Sequence, residues 1–275
     1  SKTNLKGILI SDENSPQQLV IQYAAQKHNI KTFGFQHGNI HQLHPAYIFG
    51  NYRTKPILPT LTFTWGSYFT ELLQTIGGYP ANQVRTIGRL LPQSTKVHIS
   101  KEVKDKENIL LYASQPQRDP KIRAQLLKDI LWCAQQLNSK YQLVIRPHPR
   151  ESDDRYFLDI ADEVGFHDFI IDRESDLQGH LEICQVLMLA FSTVGTEYIP
   201  YYKPLIVLDY LQQDLINWIG EGVGIPARSR EDILNILSKE ELNIDKQSYD
   251  SFINKYYITG RQVARQVKET IYESI

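Results

Sequence analysis

The chain has 275 residues and a mass of 31.8 kDa, enough for one large or two small domains with a substantial core. Its 30 Lys and Arg nearly cancel its 31 Asp and Glu, which leaves no net positive field to recommend nucleic acid as a partner. Only Cys133 and Cys184 occur, in no C-x-x-C or zinc-spaced cluster, and no apolar run approaches the roughly 18 to 20 residues of a bilayer span, which excludes a disulfide framework, a structural metal and a transmembrane helix.

Leu5 to Ile10 reads as a buried strand. Pro16 to His28 follows as a helix, with Ser15 as N-cap and Pro16 at its first position, and Lys31 to Phe35 completes a βαβ unit. Residues 38–60 hold Gly38, Pro45, Gly50, Pro56 and Pro59 among aromatics, the composition of a long ordered loop beside an active site. Strand Leu61 to Thr64, helix Ser67 to Ile76 and strand Val84 to Ile87 continue the alternation. Gly88 to Lys106 loses hydrophobic periodicity and reads as a linker.

A second series starts with strand Ile109 to Ala113 and helix Lys121 to Leu137. Strand Gln142 to Ile145, helix Asp153 to Val164, strand Phe169 to Ile171 and helix Leu177 to Cys184 come next. Strand Val186 to Ala190, helix Gly195 to Tyr201 and strand Leu205 to Leu208 complete it. This spacing demands parallel pairing and right-handed crossovers. Gly220, Gly222 and Gly224 read as a flexible turn, and Ser229 opens a helix through Ile233 to Leu237. Asp250 to Ile275 reads as one long closing helix.

The resulting expectation is an α/β protein of two Rossmann-like domains whose parallel sheets face a cleft. Residues 1–92 form the first domain, 107–249 the second, and 250–275 close the fold. The first series offers only about three strands against a complete mononucleotide-binding set in the second. That contrast and the start at Ser1 lead us to expect that the first domain lacks its initial strands and that the closing helix crosses back to cover it.

Two motifs at strand ends carry most of the chemistry. In Arg146-Pro147-His148-Pro149-Arg150-Glu151, the prolines hold His148 on a stiff loop, Arg146 and Arg150 are phosphate donors, and Glu151 orients a neighbouring ring or guanidinium. In Phe191 to Glu197, Ser192 and Thr193 sit where hydroxyls and free N–H groups converge on a phosphate, and Glu197 is placed to accept hydrogen bonds from ribose or sugar hydroxyls. Ser114 and Gln115, with Arg118, face the interdomain crevice. His37, ahead of Gly38, faces the same crevice, and Asp12 or Glu13 is the candidate base for an acceptor hydroxyl. Together these residues point to a nucleotide-sugar phosphate site.

These motifs resemble those of GT-B type glycosyltransferases that build bacterial capsule and lipopolysaccharide. The resemblance lies in G-x-Q-H-G at Gly34 to Gly38, I-R-P-H-P-R-E and S-T-x-G-x-E. The set is particularly similar to bacterial sialyltransferases and Kdo transferases, which carry an acidic pair, an H-P motif and an S-S/T motif in that order. Asp12-Glu13, His148-Pro149 and Ser192-Thr193 stand in the same order here, although Asn14 replaces the glycine that follows the acidic pair in sialyltransferases.

The resemblance implies transfer from a CMP-activated sugar to a capsule or lipopolysaccharide glycan. His148, Ser192 and Thr193 would hold the donor phosphate, Asp12 or Glu13 would be the base, and neither cofactor nor metal would take part. CDP-glycerol polymer transferases and UDP-sugar 2-epimerases share similar phosphate-site features, and a non-catalytic nucleotide-sugar-binding module is a further alternative. The expected partners are a nucleotide-sugar donor and a glycan acceptor, with no nucleic acid. The expected location is the cytoplasm, with peripheral association at the inner face of its membrane left open.

Overall fold

Apolar runs of four or five residues separated by helical stretches return the chain repeatedly to the same end of a sheet, which forces parallel pairing. The computed structural model describes residues 5–49, 57–91, 97–116, 119–137 and 140–275. They divide into two units, Ser1–Gln93 with Ser251–Ile275, and Ser94–Asp250.

The first unit contains β1 (Gly7–Ile10), α1 (Pro16–Lys27), β2 (Lys31–Phe35), β3 (Leu61–Thr64), α2 (Ser67–Thr75) and β4 (Val84–Thr86). Its sheet has four parallel strands in the order β1-β2-β3-β4, one on each of the four strand runs named in this half, so the tally of about three was low. The register pairs Ile10 with Gly34, Phe35 with Phe63 and Thr64 with Thr86, so all four C-terminal ends lie along one edge. Asp12, Glu13 and His37 emerge there, just past β1 and β2.

The second unit begins inside the expected linker. α3 (Lys101–Lys104) is a single turn whose Val103 is fully buried, and the preceding segment is tied in by His98 N–H to Asp176 Oδ2 (3.0 Å). One buried valine among charged neighbours carries no periodicity, which hides this element from a sequence reading. Then come β5 (Ile109–Ala113), α4 (Pro120–Gln136), β6 (Gln142–Arg146), α5 (Arg155–Val164), β7 (Phe169–Ile171) and α6 (Leu177–Ile183). β8 (Val186–Leu189), α7 (Thr193–Tyr198), β9 (Leu205–Leu208), β10 (Ile225–Ala227) and α8 (Arg230–Ser238) complete it.

All six strands are parallel, in the order β10-β9-β8-β5-β6-β7, a doubly wound sheet whose strand order reverses between β5 and β8. Leu110, Tyr112, Leu143, Ile145, Val186 and Met188 pack on one face against Leu127, Ile130, Phe157 and Ile233. The alternate residues Leu111, Val144, Leu187 and Leu189 are buried too, which explains the continuous apolar runs. β10 escapes a sequence reading because Pro226 sits in it; an edge strand tolerates the missing N–H.

Ser229 caps α8 by accepting from Asp232 N–H (3.1 Å), while Asp232 Oδ2 accepts from Arg228 N–H (2.9 Å). Ser229→Ala is expected to cost about 1 kcal/mol, read as a lower urea midpoint with unchanged slope.

The C-terminal segment is two helices rather than one: α9 (Lys246–Tyr256) and α10 (Arg261–Ser274). Gly260 between them has φ of +126°, a conformation that no helix interior contains. Val263 and Val267 of α10 pack with Phe33, Leu61, Phe63 and Ile87, so the closing helix does cover one face of the first sheet. No helix of the described residues is long and apolar enough to cross a membrane.

Candidate functional site

In the second unit, β6 delivers the R-P-H-P-R-E motif. Arg150 N–H donates to His148 Nδ1 (3.1 Å), so in the neutral ring the proton sits on Nε2, on the far side from the loop backbone. Glu151 turns back into the protein, where it is buried and accepts from His148 N–H (2.7 Å), Ser114 Oγ–H (3.0 Å) and Arg123 Nη2 (2.6 Å). The Arg123 guanidinium in turn lies 3.5 Å over the Tyr156 ring. Glu151 therefore orients both a guanidinium and the histidine loop, and Ser114, expected as a ligand contact, is a buried support of that loop.

Half-buried Arg146 is anchored from one side, with Nη1 donating to Ser175 O (2.7 Å) and His180 Nδ1 (2.8 Å). Fully buried His180 donates from Nε2 to Asp172 Oδ2 (3.0 Å). Burial and then Arg146 push the imidazole pKa down against the pull of Asp172, which keeps the ring neutral. Asp172 also accepts from Ser100 Oγ–H (2.9 Å), the Ser175 hydroxyl and two backbone N–H groups. Burial raises its pKa, but these bonds outweigh burial and bring it to about 2. The sequence offered one cue to this network, a polar Asp172-x-x-Ser175 turn after a strand.

Ser192 is the N-cap of α7 and accepts from Val194 N–H (3.3 Å); its own O–H is left to donate. Thr193 and Glu197 lie on the same short helix, both half-buried. Gln115 Oε1 accepts from Phe191 N–H (3.0 Å), bracing this turn from the end of neighbouring β5. Trp218 closes the base of the helix, donating from Nε1 to Thr196 Oγ1 (3.2 Å). The glycine-rich turn beyond it is ordered, since Val223 and Gly224 N–H both bond Trp218 O. Arg150 is exposed, and Arg118 lies outside the described residues.

In the first unit, the Gln36 side chain donates to Gly38 O (2.8 Å) and accepts from Trp65 N–H (2.9 Å), clamping the strand end that carries His37. Tyr47 Oη lies 3.2 Å from His37 Nδ1, and Asp12 Oδ1 lies 3.9 Å from the same nitrogen; Asp12 and His37 are both half-exposed. In the sequence Gln36 stood out only as a member of G-x-Q-H-G, with no role assigned, and Tyr47 did not stand out.

Glu13 does not share that exposure: it is 1% accessible and accepts from Thr62 Oγ1–H (3.1 Å) and Tyr79 Oη–H (3.0 Å). A Cβ on Gly34 would lie 1.8 Å from Glu13 Oε2, so the first glycine of G-x-Q-H-G is the seat of this carboxyl. Burial pushes its pKa up to about 7, with the Tyr79 and Thr62 bonds opposing and Asp12 adding. The expectation that either member of the acidic pair could meet an acceptor is thereby narrowed to Asp12.

No protein-family model and no curated protein matches the chain. Solved structures do. A putative UDP-N-acetylglucosamine 2-epimerase from Listeria monocytogenes superposes with a TM-score of 0.70 at 13% identity, over 98% of this chain and 75% of the other. The UDP-GlcNAc 2-epimerase from Neisseria meningitidis bound to UDP-GlcNAc gives 0.65 at 12% identity, over 98% and 76%. The wall teichoic acid polymerase TagF, in a variant soaked with CDPG, gives 0.63 at 14% identity, over 98% and 73%. The chain thus has the GT-B-like fold of two Rossmann-like units that the sequence resemblance implies.

Proposed function

We propose that the chain is a glycosyltransferase that moves a sugar from a nucleotide-activated donor to a hydroxyl of a bacterial surface glycan. The observation that carries this reading is the His148 ring, held by Arg150 N–H and Glu151 so that Nε2–H is offered as a fixed donor at the end of a doubly wound sheet. The second unit supplies the donor half of the reaction. His148 Nε2–H, with Ser192 and Thr193 and exposed Arg150, takes the nucleotide phosphates, and Glu197 takes a ribose or sugar hydroxyl. The first unit supplies the acceptor half, with His37, oriented by Asp12 and Tyr47, receiving the hydroxyl proton as the sugar–phosphate bond breaks. The departing nucleotide phosphate then gains the hydrogen bonds already arranged for it.

A CMP-activated sugar is the favoured donor, on the order of the acidic pair, H-P and S-T motifs. An epimerase reading has its own support, in the likeness to the Listeria and Neisseria 2-epimerase structures. Incubation with CMP-, CDP- and UDP-activated donors separates the two: a transferase needs an acceptor, whereas an epimerase alters the donor alone.

The Ser192→Ala/Thr193→Ala double variant is expected to fold but to lose most of its nucleotide-dependent rise in melting temperature, because a ligand stabilises only in proportion to its binding of the native state. If it keeps the wild-type rise at saturating nucleotide, the turn is only a helix cap.

A further inference from the structure

Past His37, the same loop presents two more histidines that the reading above leaves without a task. The segment is firmly held. Ile40 and Tyr47 are buried, Gln36 bonds Gly38, and the Phe49 ring stacks on Tyr79 with centroids 5.5 Å apart. His41 Nδ1 accepts from Leu43 N–H (3.3 Å), and His44 Nδ1 accepts from Ala46 N–H (3.3 Å). This is the arrangement that His148 makes with Arg150, and it places the ring proton of each neutral imidazole on Nε2, away from its own backbone.

The His41 and His44 rings lie 5.4 Å apart, and His44 meets Tyr47 edge-on at 5.0 Å. Tyr47 bonds His37, beside which stands Asp12. A continuous polar array therefore runs from Asp12 through His37, Tyr47 and His44 to His41, with Tyr47 buried, His37 exposed and the others half-buried.

Burial, then His41 and His37, pull the His44 pKa down to about 4, and burial lowers that of His41. The two rings are therefore neutral donors at physiological pH, and the array ends in the Asp12 carboxyl. Neutral N–H donors beside an anion suit hydroxyl oxygens and disfavour a phosphate or carboxylate.

We propose that His41 and His44 form a recognition subsite for an uncharged polyhydroxyl acceptor, a sugar or polyol unit whose oxygens take the two Nε2–H donors while an adjacent hydroxyl reaches His37. This rests on the assignment of the acceptor half of the reaction to the first unit.

The test uses the full chain with labelled histidine, whose two-bond imidazole correlations report both tautomer and ligand contact. Methyl glycosides of the common hexoses and N-acetylhexosamines, glycerol and glycerol 1-phosphate are titrated separately, with CMP, CDP or UDP measured on the same sample. The expected result is Nε2–H tautomers for His41 and His44 and a saturable shift of both signals with at least one uncharged ligand. His41→Phe/His44→Phe should weaken that binding at least about tenfold, the effect of losing two hydrogen bonds, while nucleotide affinity stays unchanged.

No shift with any uncharged ligand, or a saturable shift with glycerol 1-phosphate alone, overturns the proposal; the wild-type titration decides this even if the double variant misfolds. Absence of nucleotide binding would count against the transferase reading itself and is read out separately.

Discussion

His148→Ala is expected to weaken binding of the cognate nucleotide by about 1.5 to 3 kcal/mol, roughly 10- to 150-fold in Kd, by far the largest loss for any single substitution at the second unit's strand ends. The size follows from preorganisation. The residue is flanked by two prolines, its ring Nδ1 is bonded by Arg150 N–H, and its backbone N–H is gripped by buried Glu151, so the Nε2–H donor has little freedom left to lose on binding. A hydrogen bond from such a donor to a phosphate anion is charge-assisted and is not replaced by a methyl group. Arg150→Ala removes an exposed, unbraced guanidinium and should cost less. Calorimetric titration with CMP, CDP and UDP checks both, and an affinity unchanged by His148→Ala for every nucleotide that binds would remove the donor-site assignment.

The strands and helices were legible because both sheets are parallel. The central strands β5, β8 and β9 are buried on both faces and read as short unbroken apolar runs, and β2, β3, β5, β7 and β9 fall on the expected residues. What the sequence concealed depended on a single residue or on distant partners. Pro226 masked β10 and Val103 was too little to announce α3, while Gly260, the break in the closing helix, was passed over within a periodic stretch.

At the site, the identity of the strand-end residues was visible but their direction was not. Arg146 and Arg150 are four residues apart in one motif, yet the first is anchored by Ser175 and His180, groups 29 and 34 positions away in sequence. Glu13 and Asp12 are adjacent, yet only the first meets Thr62 and Tyr79, 49 and 66 positions away. Local spacing states which face of a strand or turn a residue leaves from; contacts of that range decide whether it ends in solvent or in the core.

The burial of Glu13 has a consequence for stability that Glu13→Gln should expose. In the unfolded chain this carboxyl titrates at 4.5, and in the folded protein at about 7, so between those values the native state binds the extra proton. Stability must then fall as pH rises: the contribution is fully present below about pH 4.5, declines through the interval and is gone above about pH 7. A shift of this size corresponds to about 3 kcal/mol across the interval.

Glutamine matches glutamate in volume and fits the seat that Gly34 leaves, and its carbonyl still accepts from one of the two hydroxyls that Thr62 and Tyr79 present. The variant carries no charge at that position at any pH. Subtracting its urea-unfolding free energies from those of the wild type at pH 5 and pH 8 cancels every other titrating group. The wild type should lose about 2.5 kcal/mol more than the variant over that range. Parallel pH dependences for the two proteins would mean that Glu13 ionises at the same pH folded and unfolded, and that its carboxyl is not sealed beneath Gly34 as described.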